Sequence, residues 1–249
     1  MLPTLQIGPA ALQFPALLIV LGFWVGITRV EKTSELYGIP GNLIFRLLFA
    51  SSLAGILGAR LAYILRYIEV FIESPISMFS LNYQLLDGEA GLLIGALVLI
   101  ILGQKNGLPF WRILDALTIG FAVLMIFLAA ANFASGNAYG SLTRLPWGIP
   151  LWGESRHPVQ VYDFLLAIGI LLIVRPGGKL AAWLREHESR EGAVFLVFAA
   201  LTSAARLFTE AFRGDSVFLW GGLRSGQVIA FFALAVCLFL LRRRLRVPK

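Results

Sequence analysis

The sequence predicts an all-α polytopic membrane protein of about seven transmembrane helices, N-terminus outside and C-terminus in the cytoplasm. Three observations predict it. The 249 residues are 58% hydrophobic and 14% charged, with a mean hydropathy of +0.81, whereas soluble domains carry about a quarter charged and at most about half apolar residues. The apolar residues gather into seven runs of near-spanning length. The basic residues are divided unevenly among the segments joining those runs. The length suits one membrane domain, 1-249.

A hydrocarbon core about 30 Å thick requires about 20 apolar residues per helical crossing. The runs are roughly 9–28, 43–65, 89–103, 113–131, 160–174, 193–212 and 226–241, the third and fifth needing flanking residues to cross. The first run has no basic leader and reads as a retained span, not a cleaved signal. In the predicted orientation the cytoplasmic segments hold Arg29, Lys32, Lys105, Arg112, Arg175, Lys179, Arg185 and Arg190, and the tail adds Arg242, Arg243, Arg244, Arg246 and Lys249. The outer segments hold only Arg66, Arg144, Arg156, Arg213 and Arg224. Excess Lys and Arg marks the cytoplasmic side. Segment 175-192 mixes Leu180, Trp183 and Leu184 with Lys179, Arg185 and Arg190, the pattern of a cytoplasmic interfacial helix. No internal repeat supports an inverted-repeat transporter.

Composition also excludes several functions. The net charge of +7 lacks basic runs interleaved with aromatics, so it points to anionic lipid and topology, not nucleic acid. Cys237 is the one cysteine, which rules out an internal disulfide or a cysteine-built metal cluster. His157 and His187 fall on opposite sides of the predicted membrane, so no two-histidine metal site is expected.

Charged groups inside spans are costly, and they are paired or functional. Arg46, Asp115 and Asp163 lie near predicted span ends and read as structural ion pairs or end residues. Arg60, Arg206 and Glu210 lie deeper and read as functional. Arg206 and Glu210 are four residues apart, on one helix face, and Arg213 continues the stripe. Such a stripe faces a polar cavity, and a guanidinium fork there matches phosphate oxygens. The phosphate at hand is a phospholipid head group. The outer segment 132-159 runs from Asn132 through Gly136, Asn137 and Gly140 to Pro146-Trp147-Gly148-Ile149-Pro150. This polar, turn-forming chain begins where a span should still be ending, which is tolerated only along a cavity or inside protein. His157 precedes Pro158 at the entrance of the fifth span, placed as a base or as a structural hydrogen-bonder.

Together these stretches resemble the prolipoprotein diacylglyceryl transferase family. Ile7-Gly8-Pro9-Ala10-Ala11-Leu12 is similar to the family's opening, and Gly58-Ala59-Arg60-Leu61-Ala62-Tyr63 to its G-[GA]-R-x-x-Y segment. Gly91 to Gly95 stands where the family has H-G-G-L-x-G, and Asn132 to Gly140 resembles R-x-G-N-F-x-N-G-E-x-[WY]-G. Arg156 to Tyr162 resembles R-H-P-[ST]-Q-L-Y, Arg206 to Arg213 resembles R-x-x-x-E-x-x-R, and Ser225-Gly226-Gln227 resembles the motif before the family's last span. The chain departs at Ala129 (an arginine in the family), Asn137 (an acid), Ala90 (the histidine) and Pro15 (a tyrosine).

The resemblance implies transfer of a diacylglyceryl group from phosphatidylglycerol, or a similar anionic phospholipid, to the cysteine thiol of a lipoprotein precursor. It implies no cofactor and a place in the bacterial cytoplasmic membrane. The catalytic residues it suggests are Arg206 for phosphate, with His157 or Glu89 as base, Glu89 being next to Ala90. The substrate-binding residues it suggests are Arg60, Asn132, Gly136, Gly140, Gln160, Tyr162, Glu210 and Gln227. The departures set a second reading beside it, a non-catalytic lipid-binding scaffold on the same fold.

Overall fold

The computed structural model describes residues 4–7, 10–79, 85–185, 190–219 and 221–246. Gly8, Pro9 and His187 lie outside the described residues. The chain forms α1 (Phe14–Thr33), α2 (Gly41–Arg66), a short α3 (Ile68–Glu73), α4 (Gly88–Lys105), α5 (Phe110–Ser135), α6 (Val159–Val174), a short α7 (Lys179–Arg185), α8 (Ala193–Glu210) and α9 (Ser225–Leu245). Six of these are long and apolar enough to cross a membrane. The 16-residue α6 is not, but it continues through a 50° bend into α7 and the pair passes as one broken span. The protein is thus an all-α multi-pass membrane protein, and the six long helices and α6 each overlap one of the seven apolar runs.

The first helix starts at Phe14, not near residue 9. Two short strands, β1 (Thr4–Ile7) and β2 (Ala10–Gln13), pair antiparallel just before it. Pro15 then sits in the first helical turn, where its missing N–H costs nothing. A second hairpin, β3 (Ile149–Leu151) and β4 (Glu154–Arg156), lies in the long segment between α5 and α6. Its two-residue turn, Trp152-Gly153, has positive φ at both positions (55° and 81°). That is the turn whose twist suits adjacent antiparallel strands, and Gly153 takes it without strain.

Lipid offers no hydrophobic drive between helices, so close backbone approach decides the packing. The main contacts pair α1 with α5, α2 with α4, and α8 with α9, while α6 packs on α5 and α8. Along the α2–α4 seam Ser51 and Gly55 face Gly91 and Gly95. A Cβ on Gly55 would meet the Gly91 carbonyl oxygen at 2.9 Å, and one on Gly95 would meet that of Ser51 at 3.1 Å.

The two ends of the bundle differ. One end holds an apolar core that includes Val30, Ile39, Ile44, Ile113, Leu184 and Val194. There the buried Asp115 accepts hydrogen bonds from the N–H groups of Gly192 (2.6 Å) and Phe195 (2.8 Å), capping α8 from another helix. The other end carries the segment between α5 and α6. The start of α1 lies at this second end, where Phe14 shares a cavity with Phe133 and Gln160. The last turn of α9 lies at the first, with Arg244 over the ring of Trp111. The start of α1 and the end of α9 therefore lie at opposite ends of the bundle.

In α7, Ala181 and Leu184 are buried while Leu180 and Trp183 are exposed. Of the charged groups read as span-end pairs, Asp115 makes no ion pair among the described residues and accepts from backbone N–H groups instead.

Candidate functional site

A cavity of about 190 Å³ opens between α5, α6 and α8 at the end away from Asp115. Met125, Leu128, Leu166 and Ile170 form its apolar part. Its polar lining is Asn132, Asp163, Thr202, Arg206 and Arg213. Local structure explains the arrangement. Gly136 ends α5 in the left-handed conformation (φ 80°), and Asn132 lines the cavity from the last turn. Pro158 precedes the first residue of α6, which places Asp163 just past its first turn. Arg206 stands one turn before the end of α8.

Glu210 organises the charges. It is buried, and its carboxylate lies 3.0 Å from Arg206 Nη2 and 3.7 Å from Arg213 Nε. Ser216 Oγ donates to its Oε1 at 2.8 Å, while Oε2 has the ion pairs but no well-aligned hydrogen bond. The backbone of Gly226 lies against this carboxyl, and a Cβ there would sit 2.5 Å from its carbon. Arg224 clamps the turn beyond α8, donating to the carbonyls of Glu210 and Arg213 and to Ser216 Oγ. Arg213 directs its fork at Asp215, at 2.9 and 2.8 Å. Arg206 is different. Its side chain is 43% exposed and, among the described residues, Glu210 is its only ion-pair partner. Most of its donors thus remain available to a ligand in the cavity.

The segment after α5 folds over this end. Gln160, buried on α6, donates to the carbonyl of Asn137 at 2.9 Å. Gly140 presses on the backbone of His157, leaving no room for a Cβ, and its chain bridges to Arg213. Trp147 donates to Tyr162 Oη at 3.0 Å, and that hydroxyl lies 3.5 Å from His157 Nδ1. The His157 ring packs on Phe212 and Tyr162, outside the cavity lining. Arg156 is held over the rings of Tyr139 and Trp152 and paired with Glu154. Gly136, Gly140, His157, Gln160 and Tyr162 thus come together outside the lining of this cavity, Gln160 facing the apolar cavity beside Phe14 and Phe133.

Three other expected residues stand apart from the cavity. Arg60 donates to the backbone carbonyls of Ser77 (2.7 Å), Leu85 (2.9 Å) and Met78 (3.1 Å) and lies over Phe71, so it braces the α2–α4 connection. Glu89 is exposed on the first turn of α4, where Asp87 caps the helix and pairs with Arg66. Gln227 is half-buried at the start of α9, one residue past the Gly226 contact. Arg224 and Ser216, which organise Glu210, do not stand out in the sequence. Their signal is weak, since a loop arginine before a span looks like an ordinary flank.

A second cavity, about 370 Å³ and almost wholly apolar, adjoins the first. Phe14, Leu18, Phe133, Val161 and Phe164 line it, and Ala129 lines both cavities. No cluster of three or more His, Cys, Asp or Glu suited to a metal occurs among the described residues. The site offers a guanidinium, an amide and a carboxylate beside a greasy slot, which suits a ligand with a phosphate head and an acyl tail.

Comparison with known proteins agrees with that chemistry. The family model for prolipoprotein diacylglyceryl transferase matches residues 3–243. A phosphatidylglycerol–prolipoprotein diacylglyceryl transferase of Rhizobium meliloti (strain 1021) is 31% identical over 222 residues, covering 83% of this chain and 77% of its own. Enzymes of the same name are 29% identical in Shouchella clausii (strain KSM-K16), covering 96% of this chain and 88% of their own, and 26% identical in Clostridioides difficile (strain 630), covering 88% and 85%.

Proposed function

The chain belongs to the prolipoprotein diacylglyceryl transferase family, and from that premise we propose that it moves the diacylglyceryl group of phosphatidylglycerol onto the cysteine thiol of a lipoprotein precursor. The observation that carries the reading is Arg206, with open donors facing a polar cavity that adjoins an apolar one. The phosphate of the lipid lies against Arg206 and Asn132, and its acyl chains extend along Phe133, Val161 and Phe164.

In the reaction the sulfur attacks the glyceryl carbon that bears the phosphate. A carbon–sulfur bond forms, the carbon–oxygen bond to phosphate breaks, and glycerol phosphate leaves. Arg206 stabilises the charge that grows on the departing phosphate, and Glu210 keeps the guanidinium aimed at it. Asn132 adds a neutral amide. Gly136, Gly140, Gln160, Tyr162 and His157 hold the wall, while Arg60 braces the connection beside α4. Neither Glu89 nor His157 lines the cavity, which leaves the proton acceptor to another group.

The Asp115 end, with the basic tail, faces the cytoplasm in this reading, and the cavity faces the outer leaflet of a bacterial cytoplasmic membrane. α7 then lies at the cytoplasmic interface. The family's enzymatic relatives favour catalysis over a lipid-binding scaffold.

The test is thiol lipidation of a lipobox peptide in membranes of a transferase-depleted bacterium expressing this chain. Thioether-linked diacylglycerol on the peptide is expected. No lipidation at high expression would sink the reading.

A further inference from the structure

We propose that Asp163 is the proton acceptor of the transfer, an inference that rests on the transferase reading above. Asp163 lines the same cavity as Arg206 and Asn132, from the opposite helix. Among the described residues its carboxylate has no ion pair within 4.0 Å, and Thr209 approaches it without a well-formed hydrogen bond. The other carboxylates nearby are engaged, Glu210 by Arg206, Arg213 and Ser216, and Asp215 by Arg213. The charged groups facing Asp163 are Arg206 and Glu210 on α8 and Arg213 just beyond it. On that wall α5 contributes the neutral Asn132 and α6 no further charge.

A carboxylate that is not tied to a partner keeps its lone pairs for a substrate proton. The thiolate, not the thiol, is the nucleophile, so an acceptor within reach of the sulfur is needed at neutral pH. The S–H proton passes to an Asp163 oxygen as sulfur attacks the glyceryl carbon. The electron pair of the broken carbon–oxygen bond stays on the phosphate oxygen, which Arg206 neutralises. Water then takes the proton from Asp163 and resets the site. Three cavity residues thus divide the work, with Arg206 on the leaving group, Asp163 on the nucleophile and Asn132 adding a neutral amide.

The experiment uses the full-length protein in phosphatidylglycerol proteoliposomes with a lipobox peptide, and measures initial rates on both sides of the thiol's ordinary pKa of about 8.5. Asp163→Asn is expected to lose about 10²-fold at neutral pH and to recover toward wild type above about pH 8.5, where the peptide is already thiolate. Asp163→Glu is expected to keep most of the activity, and both variants to bind phosphatidylglycerol as wild type does. Asp163→Asn activity within about threefold of wild type at neutral pH overturns the proposal. An equal loss at every pH, with Asp163→Glu no better or lipid binding gone, marks a structural or lipid-holding residue and overturns it too. A wild-type protein that binds lipid but lipidates nothing at any pH removes the transferase reading, and this inference with it.

Discussion

The bundle carries two polar centres, one at each end, and they are built on opposite principles. At the Asp115 end nearly every group has a partner. Both carboxylate oxygens of Asp115 accept backbone N–H groups at the start of α8. Arg112 forks onto Glu191, and Arg190 donates to the Trp183 carbonyl at 3.0 Å. The donors left over, Arg190 Nε and Arg185 Nη1, belong to guanidiniums lying over the rings of Trp183 and Tyr37. At the cavity end the bonds are left incomplete: among the described residues Arg206 has open donors, Asp163 has no ion pair, and Thr209 Oγ1 has no well-formed hydrogen bond. A buried polar group without a partner costs about 1–3 kcal/mol. A fold tolerates that cost where a ligand completes the network. The satisfied end is a joint, and the unsatisfied end is where we propose the site.

Substitutions can break or sharpen this contrast. The largest effect is expected from Arg206→Ala, with activity down by about 10²–10³-fold, or about 2.7–4 kcal/mol of transition-state stabilisation. Its melting temperature should stay close to wild type, and an active Arg206→Ala protein would remove the phosphate role. Asp115→Ala should show the reverse pattern. It orphans two N–H groups of α8 and is expected to cost about 2–3 kcal/mol in detergent unfolding. The specific activity of the folded fraction should be unchanged, and if transfer is lost while stability holds, the two ends are not separable. Gly226→Ala pushes on the Glu210 carboxyl and should cost about 1–3 kcal/mol of strain. A fall of about tenfold in transfer is expected, equivalent to about 1.4 kcal/mol; an unchanged rate would show that Glu210 does not aim Arg206. The smallest effect is expected from Ala129→Arg, which adds a guanidinium where the two cavities meet. A few-fold faster transfer is expected from a second phosphate donor, whereas slower transfer would mean that the lipid needs the space.

The seven spans were legible because hydropathy reports directly on the solvent a helix faces. The Arg206–Glu210 stripe was legible for an equally local reason, since four residues make one helix turn. What escaped was non-local. Arg60 reads from sequence as a head-group ligand, but its donors reach carbonyls 17 to 25 residues away, a distance no helical period encodes. Asp115 reads as a span-end charge, yet its partners are 77 and 80 residues on. The first helix was placed five residues early, because the apolar residues of a pairing strand look the same as those of a span. Asp163 reads from sequence as one more intramembrane charge, and only the cavity separates it from the charges that are tied down.

One contact has a consequence for biosynthesis. α9 packs chiefly on α8, and its first turn lays Gly226 against the Glu210 carboxyl while Arg224, just before it, grips the preceding turn. A nascent chain emerges N-terminus first. Every residue lining the cavity is therefore made before Gly226, whose backbone lies against the Glu210 carboxyl that pairs with Arg206. On the proposed mechanism, a chain ended before α9 would carry the pocket without the contacts that seat Glu210 beside Arg206.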